Sequence, residues 1–210
     1  MRDPDRADLD KVLADIGAIR LQVAAGTAFQ GYGPSALAVT SALALVTAGL
    51  QALLLDDPTV QPLVFLAGWI AAAIVCVGVV GAEMLARSRR HHSGLADAMI
   101  LNAVEAFLPA GAAGALLLLV LARLAPDSLW LLPGLWQILV GLGLFASLRA
   151  LPRPVAWAAG WYLVAGLGAI AAASEGHALS PWTMGLPFAV GQGLLAVILH
   201  LSSGGTDGRA

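Results

Sequence analysis

Two carboxylates, an imidazole and three amides stand in or beside long apolar runs: Glu83, Glu105, His200, Asn102, Gln137 and Gln192. Carboxylates and an imidazole gathered at one depth of a membrane can take up and release protons, because desolvation favours the neutral carboxyl and the imidazole titrates near neutrality. Glu83 ends the second apolar run, Glu105 heads the third and His200 ends the sixth, so these three fall at one depth and could form a proton-linked binding cavity. Asp97, Asn102 and Glu105 share one arc of a helical wheel, which places the amide beside the carboxylate if this stretch is helical. The plainer reading of the same residues is a set of separate rim groups, with Glu105 hydrated or paired with arginine. Gln137 and Gln192 sit near the middle of their runs. Amides at such depth bond across to neighbouring helices, contributing about 0.6–2 kcal/mol; a ligand-coordinating pair is the alternative.

Other chemistries lack their residues. Haem between helices needs two facing histidines, but His91 and His92 fall in the loop "RSRRHHSG" and His177 in another, which leaves His200 alone on a span. The single cysteine, Cys76, allows neither a disulfide nor a zinc set, and it reads as a small apolar packing residue. No phosphate-binding loop and no nucleophile with its base can be assembled on one side of the membrane. No catalytic residue, metal, cofactor or nucleic-acid partner is therefore expected.

The elements that would position these groups follow from composition. Of 210 residues 59 % are hydrophobic and 11 % charged, far from the balance of about 25 % charge found in soluble domains. Apolar runs at about 34–55, 62–86, 104–123, 129–148, 155–173 and 182–201 each match the roughly 17–25 residues that cross a bilayer as helix. They are continuously apolar and do not alternate, which excludes a barrel. The expected class is all-α: a polytopic bundle of six transmembrane helices over 31–202.

Positive residues set its orientation. In a six-helix chain Arg2, Arg6, Lys11, Arg20, Arg87, Arg89, Arg90, Arg149, Arg153 and Arg209 share one side and Arg123 takes the other. Both termini are then cytoplasmic, in a bacterial inner membrane. Arg87, Arg89, Arg90, Arg149 and Arg153 are the residues expected to fix topology and meet anionic headgroups. Ahead of the first span, Leu9, Val12, Leu13, Ile16, Ile19 and Val23 recur at helical spacing, which predicts an amphipathic interfacial helix within residues 1–30. The tail 203–210 reads as disordered. The second and fifth spans share "AGW" followed by small residues, and the third and sixth share "LP" openings. That is the pattern of a three-plus-three inverted repeat, although helices rich in Ala, Gly and Leu also align by composition.

Ile19, Arg20, Phe29, Gly31, Tyr32 and Gly33 ahead of the first span, with Leu131, Leu132, Pro133, Gly134 and Trp136 opening the fourth, carry a resemblance. On these motifs the chain resembles a bacterial family of small six-helix membrane proteins of unassigned function. The resemblance implies the topology and no activity. Two functions are open at this level. One is a non-enzymatic accessory, sensor or regulatory component that works through helix packing, with the bilayer and a second copy or membrane subunit as partners. The other is a small proton-linked transporter or channel.

Overall fold

The computed structural model describes residues 34–90, 95–149 and 151–204. The interfacial helix expected at 1–30 and most of the tail expected at 203–210 lie outside the described residues. Within them the chain is all-helical. The helices are α1 (Pro34–Leu54), α2 (Pro62–Arg90), α3 (Leu95–Leu124), α4 (Leu132–Ala146), α5 (Val155–Ala173) and α6 (Pro181–Gly204). Among the described residues six stretches are long and apolar enough to cross a membrane, the fourth, Pro126–Ala146, being α4 together with the 3-10 turn before it. The protein is thus a multi-pass membrane protein.

Proline sets several of the starts. Pro34, Pro62 and Pro181 each open a helix, where the missing N–H is no loss and the fixed φ suits the first turn. The fourth span is more segmented than its continuous apolarity predicts. Pro126 begins a 3-10 turn over Pro126–Leu131, the α-helix proper follows from Leu132 with Pro133 in its first turn, and a short 3-10 turn, Ser147–Arg149, ends it. α3 begins at Leu95 and runs unbroken through Pro109.

The helices stand in a ring in chain order. α1 packs on α2, α3 on α4, α4 on α5 and α5 on α6, and the ring closes through a long α1–α6 contact. Among the described residues the α2–α3 junction is the loose seam. Both halves of the chain run around this ring in the same rotational sense, whereas a two-fold axis in the membrane plane would reverse the second. The packing therefore does not follow the inverted-repeat relation suggested by the sequence.

Small residues make the two tight junctions. On α4 and α5, a Cβ added to Gly134 would lie 2.5 Å from the Gly166 carbonyl, and one added to Gly166 would lie 2.6 Å from the Gly134 carbonyl. One turn pair further, Gly141 faces the Ala159 carbonyl, so the contact repeats every seven residues along antiparallel helices. Backbones can come this close only where side chains are absent, and in lipid the gain is van der Waals contact and not exclusion of water. Between α1 and α6, Gly185 takes Ala44 and Ala48, and the Ser41 hydroxyl donates to the Ala189 carbonyl at 2.7 Å.

Two clusters of buried side chains fill the ring. One gathers Leu144, Val155, Tyr162, Leu195 and Leu199 near the end where α1 begins and α6 finishes; the other gathers Ala48, Phe65, Leu66, Trp69, Leu132 and Met184 toward the opposite end. Phe188 touches both. At the far end the Leu179 N–H donates to Thr59 Oγ1 at 3.1 Å, tying the α1–α2 loop to the α5–α6 loop. There His177 adopts a positive φ of 50° and stacks on Trp130 with ring centroids 4.6 Å apart.

Candidate functional site

Glu83 reaches the N-terminus of α1 from the adjacent helix. Its Oε1 accepts the Ser35 hydroxyl at 2.7 Å and its Oε2 accepts the Ala36 N–H at 2.8 Å. The first N–H groups of any helix lack partners within the helix and carry the positive end of its dipole, so a carboxylate there is a cap supplied from outside. α1 begins with Pro34-Ser35 and has no acidic residue in its own first turn. Glu83 supplies that charge.

Gln137, fully buried on α4, donates from Nε2 to the Thr183 carbonyl at 2.8 Å. The reason lies four residues further along α6. Pro187 has no N–H and stands at the position that would otherwise satisfy the Thr183 carbonyl. In a membrane such a freed carbonyl must be met by a neighbouring helix, and the amide does this. The Gln137 Oε1 has no hydrogen-bond partner.

Gln192 lies further along α6 and faces α1. The Thr40 hydroxyl donates to the Leu37 carbonyl at 2.9 Å and approaches Gln192 Oε1 at 3.3 Å. The two glutamines thus serve different contacts and do not form a pair. A third amide, Gln51, bonds across to α2, donating to the Phe65 carbonyl at 2.8 Å. Gly68 makes room for it, since a Cβ there would collide with the Gln51 amide.

Glu105 is exposed on α3, two residues before the apolar stretch that begins at Phe107. His200 is exposed in the last turns of α6. The side chains of Asn102, Arg87, Arg89, Arg90 and Arg149 lie outside the described residues, and Arg153 is exposed on the turn before α5. Of the six polar residues singled out from the sequence, Glu83, Gln137 and Gln192 have defined bonds to neighbouring helices, and each bond serves a different helix contact.

What sequence inspection did not show is a cavity of about 330 Å³ behind the α2–α3 seam. Its wall draws on every helix of the ring: Leu37 and Thr40 of α1, Val77 and Gly81 of α2, Phe107 of α3, Leu144 of α4, Val155 of α5, and Gln192 and Leu199 of α6. The lining is overwhelmingly apolar, with Thr40, Cys76 and Gln192 as its polar or polarisable groups. Such a space suits a hydrocarbon body. No family model, curated protein or solved structure matches the chain.

Proposed function

We propose that this protein is a non-enzymatic component of a bacterial inner membrane, an accessory, sensor or regulatory subunit that acts through helix packing, with both termini cytoplasmic. The observation that carries this reading is the unequal packing of the ring. In the most apolar stretches of the second and third spans 17 % and 6 % of residues are buried within the chain, against 44 % in the fourth and 39 % in the sixth. α2 and α3 therefore present long faces, including Ile74 and Val75 on one and Leu116 and Leu119 on the other. A helix at the rim of a bundle with so little internal packing is suited to a second copy or a membrane subunit. The non-enzymatic part of the reading is supported by the use of Glu83, Gln137 and Gln192 in structural bonds. The transporter reading draws less support, because the halves of the ring do not relate as an inverted repeat.

The test uses the full chain with Cys76→Ala as background and a single cysteine at Ile74 or Leu116. In native membranes, oxidation is expected to give one crosslinked species of defined mass from each position, matched by an oligomer or stoichiometric complex in mild detergent. A monodisperse monomer with no crosslink at either position would rule the reading out.

A further inference from the structure

The cavity behind the α2–α3 seam has three properties that together identify a ligand. The first is depth. Its wall runs from Met84, Val155 and Leu199 near the end bearing Arg153 down to Cys76 and Gln192. Gln192 is ten residues from Ser202, where the apolar part of the sixth span ends, or about 15 Å along the helix at ~1.5 Å per residue. That is half of a hydrocarbon core about 30 Å thick, so the cavity runs along one leaflet.

The second property is chemistry. Apolar walls offer water few partners, and an apolar cavity of about 150 Å³ already accepts a molecule the size of benzene. The space here, about 330 Å³, is roughly twice that. The third property is access. Val77 lines the cavity and is also 74 % exposed, so the cavity wall on α2 includes a residue open to the surroundings of the chain, beside the loosely packed α2–α3 junction. A ligand can enter sideways without crossing water.

We propose that this cavity binds one acyl chain of a glycerophospholipid drawn from the leaflet at the Arg153 end. The chain passes between α2 and α3 with its methyl end toward Gln192. Its headgroup then comes to lie by the turn that joins Leu151 to Val155, two residues that line the cavity and flank the exposed Arg153. An anionic headgroup is favoured there. Binding rests on dispersion contacts along a fitted wall, since transfer from lipid to protein brings no gain from leaving water. This inference stands apart from the proposed partner interface, which concerns the outer faces of the same helices.

Gly81 provides the test. A Cβ there meets nothing within 4 Å, so Gly81→Phe projects into the cavity without displacing backbone. Gly78, on the same helix, is exposed and equally free of neighbours, and Gly78→Phe is the control. A diazirine analogue of leucine replaces Leu195, which lines the cavity and is buried. The full chain is reconstituted in vesicles of equal phosphatidylglycerol and phosphatidylethanolamine, irradiated and weighed intact. The expected result is an adduct of one phospholipid per chain, retained in Gly78→Phe and reduced at least tenfold in Gly81→Phe. Phosphatidylglycerol should predominate in it, and Arg153→Gln should abolish that preference. If Gly81→Phe fails to elute as the wild type does, Gly81→Leu takes its place with the same expectation. Absence of a lipid adduct from the wild type, or an undiminished adduct in the filled variant, would overturn the proposal. So would a crosslink to residues 1–33 or to a second copy in place of lipid. In native membranes, an isoprenoid adduct in place of the phospholipid would overturn it as well.

Discussion

Glu83 and Ala36, 47 residues apart in sequence, are joined by a hydrogen bond of 2.8 Å that closes the N-terminus of α1 with a carboxylate from α2. With Ser35 on the other oxygen, this is a bidentate cap across a helix junction. Its energy comes from satisfying an otherwise unmatched N–H and from placing negative charge at the positive end of the helix dipole.

Glu83→Gln keeps the shape and one acceptor but removes the charge. We expect a loss of about 1 kcal/mol, with Glu83→Ala costing up to about 2 kcal/mol, in line with the loss of a helix cap. The checking measurement is the unfolding midpoint in mixed detergent micelles. Midpoints equal to the wild type in both variants would mean that the cap carries no stability.

The Gln137 amide and Pro187 should be energetically coupled. Gln137→Met leaves the Thr183 carbonyl without a donor and is expected to cost about 1–3 kcal/mol. In a Pro187→Ala background the helix can supply its own N–H to that carbonyl, so the same substitution should cost less than half as much. A double-mutant cycle measures the difference directly. Additive effects would show that the amide is not there on the proline's account.

At the α4–α5 junction, Gly166→Ala should destabilise by about 1–3 kcal/mol through overpacking, because the new methyl meets the Gly134 carbonyl. Gly160→Ala on the same helix meets nothing within 4 Å and should be neutral or slightly stabilising. Resistance to unfolding by SDS separates the two. Equal midpoints would contradict the close approach.

Orientation has its own test. In a Cys76→Ala background, cysteine at Glu175, in the loop before α6, should react with a membrane-impermeant maleimide in intact cells. Cysteine at Arg153 should react only after lysis. The opposite pattern would invert the topology inferred from the arginines.

The spans were legible in the sequence because length and apolarity are one-dimensional properties; the stretches able to cross a membrane fall close to the runs read from the residues, while the third helix itself begins at Leu95, nine residues ahead of its run. The interior roles were only partly legible. Gln137 announced itself as a buried amide, and the order Thr183 to Pro187 states that a carbonyl four residues before the proline needs a donor. That α4 would face α6 at this point depends on ring closure, which no local pattern encodes. Glu83 looked like a rim carboxylate, and only the α1–α2 junction reveals the N-terminus it caps. The cavity was invisible because it depends on how all six helices come together, while the residues around it read as ordinary span. The tight α4–α5 contact was nearer the surface of the sequence, since Gly134 and Gly141 stand seven residues apart.

α2 is pinned at two places, and beyond Trp69 it is thinly packed between them. Near its start the Phe65 carbonyl takes the Gln51 amide of α1, and near its end Glu83 holds the first turn of the same helix. The eighteen residue steps between these points make a beam about 27 Å long at ~1.5 Å per residue, and Cys76, Val77, Val80 and Gly81 lie along it as the cavity wall. A beam fixed at its ends bows most easily in the middle. The α2 side of the cavity is thus bounded by a helix held at two polar clamps near opposite faces of the membrane. Releasing either clamp turns the supported beam into a cantilever.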